Sequence, residues 1–228
     1  MDTKSLLKYT VYISLFVQIL TGLGNVWILQ YKTPANVHIL RELVYAELAI
    51  QIIELIFYIW LAYNLLTISN ITTNRYYDWL ITTPTMLITT IAYFIFLKYK
   101  NANEDTSTLS IVNIVKKELW PILSIIFLNA IMLLFGFLNE IKKMDTQLSV
   151  ALGTIAFLAY FYIIYKQYVV GVEGTATIFY MFFTLWSLYG VAALLPYDWK
   201  NISYNILDLF SKNFFGVFIT IVLYGYVK

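Results

Sequence analysis

Charged side chains that interrupt apolar runs carry the chemistry of this chain. Between Ile202 and Val227 the only charges are Asp208 and Lys212, in the string YNILDLFSKNFFG. Four residues apart, they share one face of a helix. A charge in such a run marks a functional site or an ion pair that ties a helix bundle together. A second run, NRYYDWLITTPTMLITT, carries Arg75, Asp78, Thr82, Met86 and Thr89 within an arc of about 80°. A lone polar stripe of this kind is more often helix-packing glue. Here two helices each offer a carboxylate and one also offers an amine, which points to charges converging on a common centre.

A further set of polar residues shares one spacing. Glu47, Gln51, Glu54 and Tyr58 fall within about 60° of one helix face. Ser14, Gln18, Thr21 and Asn25 repeat that spacing, as do Asn201, Asn205, Asp208 and Lys212. Each membrane-embedded glutamate costs about 2.5–3.5 kcal/mol without water or a partner. One hydrogen bond between membrane helices returns only about 0.6 kcal/mol. A hydrated path between the three helices therefore explains the stripes more simply than dry glue.

The elements that must position these groups are membrane helices. The 228 residues are 61% hydrophobic and 12% charged, against about 25% charged in a soluble domain. A mean hydropathy of +0.73 agrees. Seven spans of about 20 or more apolar residues are expected near 5–30, 35–64, 72–100, 115–138, 146–169, 175–195 and 200–227. The expected fold class is an all-α membrane protein, a seven-transmembrane-helix bundle in a single domain over 1–228. Thr33-Pro34 reads as the start of the second span, with Thr as cap and Pro at the first helical position. Asp198 reads as the cap of the last span. Pro84 and Pro121 fall inside spans, which membrane helices tolerate. The N-terminus runs straight into the first span, with no small-residue cleavage site, and reads as a retained helix.

Composition also excludes several classes. The net charge of +2 argues against nucleic acid or another polyanion as partner. Without cysteine there is no disulfide, thiolate metal site or cysteine nucleophile, and the single His38 builds no metal cluster. No nucleophile–base–orienter set is visible, so an enzyme is not expected. The positive-inside rule puts the N-terminus outside and the C-terminus in the cytoplasm. Lys32, Arg41, Lys98, Lys100, Lys116, Lys117, Lys166 and Lys228 then face inward, against Lys4, Lys8, Lys142, Lys143 and Lys200 outward. Asn70 and Asn201 open Asn-x-Ser/Thr sequons on the outer side.

With these residues in place, the chain resembles the microbial rhodopsins. The strings RYYDWLITTP and LDLFSKNFFG are similar to the two most diagnostic motifs of that family. LWSLYG at 185–190 and the spacing of Asn129, Met132 and Gly136 add to the match. The resemblance implies all-trans retinal bound to Lys212 as a protonated Schiff base. The neutral amine is the form of lysine that condenses with an aldehyde. The product is a buried cation that needs counter-charge, and Asp78 and Asp208 would supply it. Arg75, Tyr58 and Thr82 would complete the counterion network, with Tyr58 bonding Asp208. Trp79, Thr83, Met86, Met132, Gly136, Trp186 and Tyr189 would line the retinal slot.

The chain departs from the proton-pumping branch of that family. At the place of the cytoplasmic proton donor it has Thr89, which is no proton reservoir near neutral pH. Near the outer end of the last span it has Lys200 where pumps often carry a glutamate. YNILDLFSKNFFG and the second-span glutamates Glu47 and Glu54 look like the group-1 viral rhodopsins of algal large DNA viruses. That resemblance implies a light-gated channel for monovalent cations, sodium, potassium and protons among them, inhibited by calcium. Ser14, Glu47 and Asn213 would form a cytoplasmic constriction. Glu54, Asn205, Asp208 and Lys212 would form a central one, and Gln51 lies between the two glutamates. A weak outward proton pump and a photosensory protein are the other readings. A homo-oligomer stays open.

Overall fold

The computed structural model describes residues 2–65, 67 and 70–227. Lys228, counted above among the inward charges, lies outside the described residues. Among the described residues there are eight helices: α1 (Thr3–Ile28), α2 (His38–Asn64), α3 (Ile71–Asn101), α4 (Ile111–Lys117), α5 (Leu119–Glu140), α6 (Thr146–Val169), α7 (Thr175–Ala193) and α8 (Tyr197–Val227). All but the short α4 are long and apolar enough to cross a membrane. The chain is therefore an integral, multi-pass membrane protein. Each span packs on the next in the order α1, α2, α3, α5, α6, α7, α8, and α8 returns to α1, which closes a ring. For neutral description, the side holding residue 3 is called the N-terminal face and the side holding residue 227 the C-terminal face.

The spans fall close to their expected places, and their ends have local causes. Asn70 caps α3 by accepting from the Thr73 amide (3.2 Å), and Asp145 caps α6 from Gln147 (2.8 Å). Two sequence expectations fail at helix ends. Thr33 and Pro34 do not open α2: a 3-10 turn at Ala35–Val37 precedes His38. Thr33 Oγ1 instead accepts from Arg41 (3.2 Å), so it is not available to the helix amides. Pro121 does lie inside its span, in the first turn of α5, where a missing N–H costs no hydrogen bond. Pro196 precedes α8, and Asp198 lies in its first turn with Oδ2 accepting from Thr3 (3.1 Å). Asn201 is fully buried, so its sequon is closed to glycosylation.

Two spans carry π turns, at Tyr165–Val169 in α6 and at Leu209–Asn213 in α8. The second contains Lys212. A π turn inserts a residue and rotates the faces on either side of it. Asp208 and Lys212 therefore do not stack as an ideal i, i+4 pair.

Candidate functional site

Lys212 Nζ is met by carboxylates from three helices. Asp78 Oδ2 on α3 lies 2.5 Å away, Glu54 Oε1 on α2 3.5 Å and Asp208 Oδ1 on α8 3.9 Å. All four side chains are buried. The sequence suggests Asp208 as the lysine's partner, one turn earlier, but the structure makes Asp78 the nearest. The reason lies in what else holds Asp208. Tyr58 donates to its Oδ2 (2.8 Å), Tyr189 to its Oδ1 (2.7 Å), and Arg75 pairs with Oδ2 (3.2 Å). Asp78 has no such competitors, and its Oδ1 accepts no hydrogen bond among the described residues.

Arg75 anchors the N-terminal side of this centre. Its guanidinium donates to Asn201 Oδ1 (3.3 Å), to Asn205 Oδ1 and to Tyr58 (3.4 Å). Its Cζ also lies 5.6–5.8 Å from the rings of Phe57, Tyr58 and Tyr204. Thr82 enters the network less directly than expected. Its hydroxyl donates to the backbone carbonyl of Asp78 (3.0 Å), as buried helix threonines commonly do. Removing one partner from a buried cluster of this kind costs about 3–5 kcal/mol, because it leaves an uncompensated charge.

Beside Lys212 lies a cavity of about 230 Å³. Trp79, Thr83, Met86, Met132, Gly136, Trp186 and Tyr189 all line it, together with Lys212 itself. Sequence reading missed the α6 wall, formed by Gly153 and Phe157, and also Tyr204 and Ser211. Trp79 stands edge-on to Tyr189 (5.7 Å) and Tyr204 (5.1 Å). Asn129 ties α5 to α3 by donating to Thr83 Oγ1 (2.8 Å). At Gly136 an added Cβ would run into the Tyr76 ring, so only glycine leaves that wall in place. The result is an apolar, aromatic-walled slot with one amine. That donor set fits a conjugated aldehyde held covalently by the amine and packed along its length.

The polar stripes of α1, α2 and α8 do face one another. Asn205 Nδ2 donates to Thr10 (2.8 Å), and Thr220 donates to Asn25 (2.9 Å). Glu47 Oε1 accepts from Thr89 (2.8 Å), so the residue at the pump donor's place is bonded to a carboxyl on α2. Gln51 and Asn213 are buried and make no side-chain hydrogen bond among the described residues. Ser14 requires a correction. Its hydroxyl donates to the Asn205 carbonyl (3.2 Å), which places it with the central group, nearer the N-terminal face than either Asn213 or Glu47. The residue on the α1 stripe that lies level with Asn213 is Gln18, because α1 and α8 keep an offset of 195 residues. Near the N-terminal face Lys200 pairs with Glu140 at the end of α5 (2.6 Å), a partner the sequence did not reveal.

Comparison with known proteins follows from this geometry. A family model described as "Bacteriorhodopsin-like protein" matches residues 7–225. Among solved structures, the viral rhodopsin OLPVRII superposes with a TM-score of 0.81 at 26% identity, covering 96% of this chain and 98% of that one. A blue light-absorbing proteorhodopsin from Med12 gives 0.74 at 19% identity, covering 96% and 97%. Halorhodopsin, a light-driven chloride pump, gives 0.68 at 15% identity, covering 96% of each chain. The last two likenesses concern the fold alone. No curated protein matches the sequence.

Proposed function

The chain belongs to the bacteriorhodopsin-like family, and on that premise we propose that it is a light-gated channel for monovalent cations with all-trans retinal carried on Lys212. The family binds retinal; the isomer, the attachment and the channel activity are the proposal. Lys212 Nζ stands for the nitrogen that would join the chromophore. Bound there, retinal would supply a photoisomerisable chain, and the lysine nitrogen would carry the positive charge. Asp78 and Asp208 balance that cation, and Arg75, Tyr58 and Tyr189 fix Asp208. The aromatic slot excludes water and holds the chain in one orientation. Calcium, which paired carboxylates bind, is the expected inhibitor.

One observation carries the channel reading. Glu54 belongs to the polar stripe of α2, and its Oε1 lies 3.5 Å from Lys212 Nζ. The polar seam between α1, α2 and α8 therefore runs through the charge cluster that light would disturb. Carboxylates along such a path favour cations. The N-terminus is assigned to the outside from the lysine distribution. Voltage clamp of cells expressing the protein tests the proposal. A photocurrent that reverses sign, at a potential that follows the sodium or potassium gradient, is the expected result. A photocurrent of one sign at every voltage contradicts it.

The contact of Asp78 with Nζ at 2.5 Å favours a second reading, a weak outward proton pump with Asp78 as acceptor. That reading requires light-driven acidification of the medium, abolished by a protonophore.

A further inference from the structure

The polar stripes of α1, α2 and α8 stop at one level, and the same three faces continue as hydrocarbon. The hydrogen bonds Thr10–Asn205 and Asn25–Thr220 both span 195 residues, so α1 and α8 run parallel in constant register. That register puts Ile28 level with Leu223. Thr21 Cγ2 and Gln51 Nε2 lie 3.5 and 3.7 Å from where a Cβ of Gly216 would stand. Because α2 runs antiparallel to α1, Asn25 is then level with Glu47, and Ile28 with Val44. Ile28, Leu43, Val44 and Leu223 are each 0% exposed and lie in one apolar cluster.

On the lysine side of this apolar layer the situation is reversed. Four donors are buried without a partner: Nε2 of Gln18 and Gln51, and Nδ2 of Asn25 and Asn213. Six acceptors are buried without a hydrogen-bond partner beside them: Oε1 of Gln18 and Gln51, Oδ1 of Asn213, Oε2 of Glu47 and both carboxylate oxygens of Glu54. Each orphaned group costs about 1–3 kcal/mol, so such a set is normally answered by a bound species. A bare cation would satisfy only the acceptors. Water both donates and accepts, which matches a set that holds both kinds of group. Gly216 leaves the room: its missing Cβ would stand 3.4 Å from Asn25 Nδ2 and 3.7 Å from Gln51 Nε2.

We propose that this part of the seam is a water-holding chamber, and that Ile28, Leu43, Val44 and Leu223 form a dry plug that gates it towards the C-terminal face. The plug's role in conduction rests on the channel reading above. A constriction lined only by hydrocarbon empties of water and stops ions without binding them. The N-terminal side is closed by other means, the fully bonded Arg75 network. The dark state is thus shut by polar contacts at one end and by dewetting at the other.

Because the chain has no cysteine, one introduced thiol reports alone. The probe is methanethiosulfonate-ethyltrimethylammonium, a small cation, applied in darkness to purified, retinal-loaded Gln51→Cys protein. Labelling should be slow. Adding Leu223→Ser should speed it by about tenfold or more, and Ile28→Ser should do the same from a second helix. Leu223→Ala, which keeps the layer apolar, should leave labelling slow. An unchanged absorption maximum certifies that each variant is folded, and either serine variant suffices if the other forms no pigment. Serine variants with intact pigment and unchanged labelling overturn the plug. The channel reading is judged separately by photocurrent. Faster labelling with no reversing current refutes that reading and leaves the plug standing; a reversing current with unchanged labelling does the opposite.

Discussion

Asp78 Oδ2 lies 2.5 Å from Lys212 Nζ, while Asp208, on the lysine's own helix, lies at 3.9 Å. The nearer acid is held by the lysine alone, and the farther one by two tyrosines and an arginine. Under the proposed function the two acids would have different duties: Asp78 would set the charge at the nitrogen, and Asp208 would position the network behind it.

Neutralising the nearer acid should have the larger optical effect. Asp78→Asn should shift the visible absorption of the retinal-loaded protein to longer wavelength, and by more than Asp208→Asn. Equal shifts, or a larger one for Asp208→Asn, would reverse these duties. Absorption spectra of the two purified variants decide it.

Under the proposed function Glu54 would stand between chromophore and path, so its removal should register in both. Glu54→Gln should move the spectrum by less than Asp78→Asn, since its oxygen is 3.5 Å from Nζ. It should also reduce the photocurrent or change its reversal potential. Wild-type currents under sodium and potassium gradients would take Glu54 out of the path.

The Lys200–Glu140 pair is a fastening between α8 and α5, with both groups mostly buried. Glu140→Gln leaves a lysine there with no counter-charge and should cost on the order of 3 kcal/mol. The double change Glu140→Met with Lys200→Met should cost less, because no lone charge remains. Thermal bleaching of the pigment reads this directly. A double variant that bleaches earlier than the single one would contradict it.

Gly136 stands against the Tyr76 ring, which packs edge-on to Trp79 at 5.1 Å. Gly136→Ala should push that ring into the slot and lower the yield of pigment on retinal addition. Adding Tyr76→Phe removes the hydroxyl that the new methyl meets first and should restore part of the yield. A normal yield for Gly136→Ala alone would show that the wall yields without cost.

What was legible in the sequence was what apolar surroundings make conspicuous. Lys212, Asp208, Asp78 and both glutamates of α2 stand out because charge is rare in such spans, and equal spacing put them on common faces. Contacts that depend on how neighbouring helices are rotated were not legible. Glu54 was expected on the path, yet its approach to Lys212 follows from the facing of α2 and α8. Ser14 was grouped with Glu47, but the stripe it begins runs the length of α1, and only the register shows which end lies where. Lys200 reads in sequence only as an outward charge at the place of a pump's glutamate, since nothing there ties it to Glu140. The second span starts where expected, but Thr33 does not cap it, because Arg41, eight residues on, takes the hydroxyl that a helix cap would use.

The assignment of Lys212 is tested most directly by adding all-trans retinal to the purified protein and to its Lys212→Ala variant. The wild-type chain should form a visible pigment that hydroxylamine bleaches in light, and the variant should stay colourless. A colourless wild type, or a variant that colours equally, would contradict it.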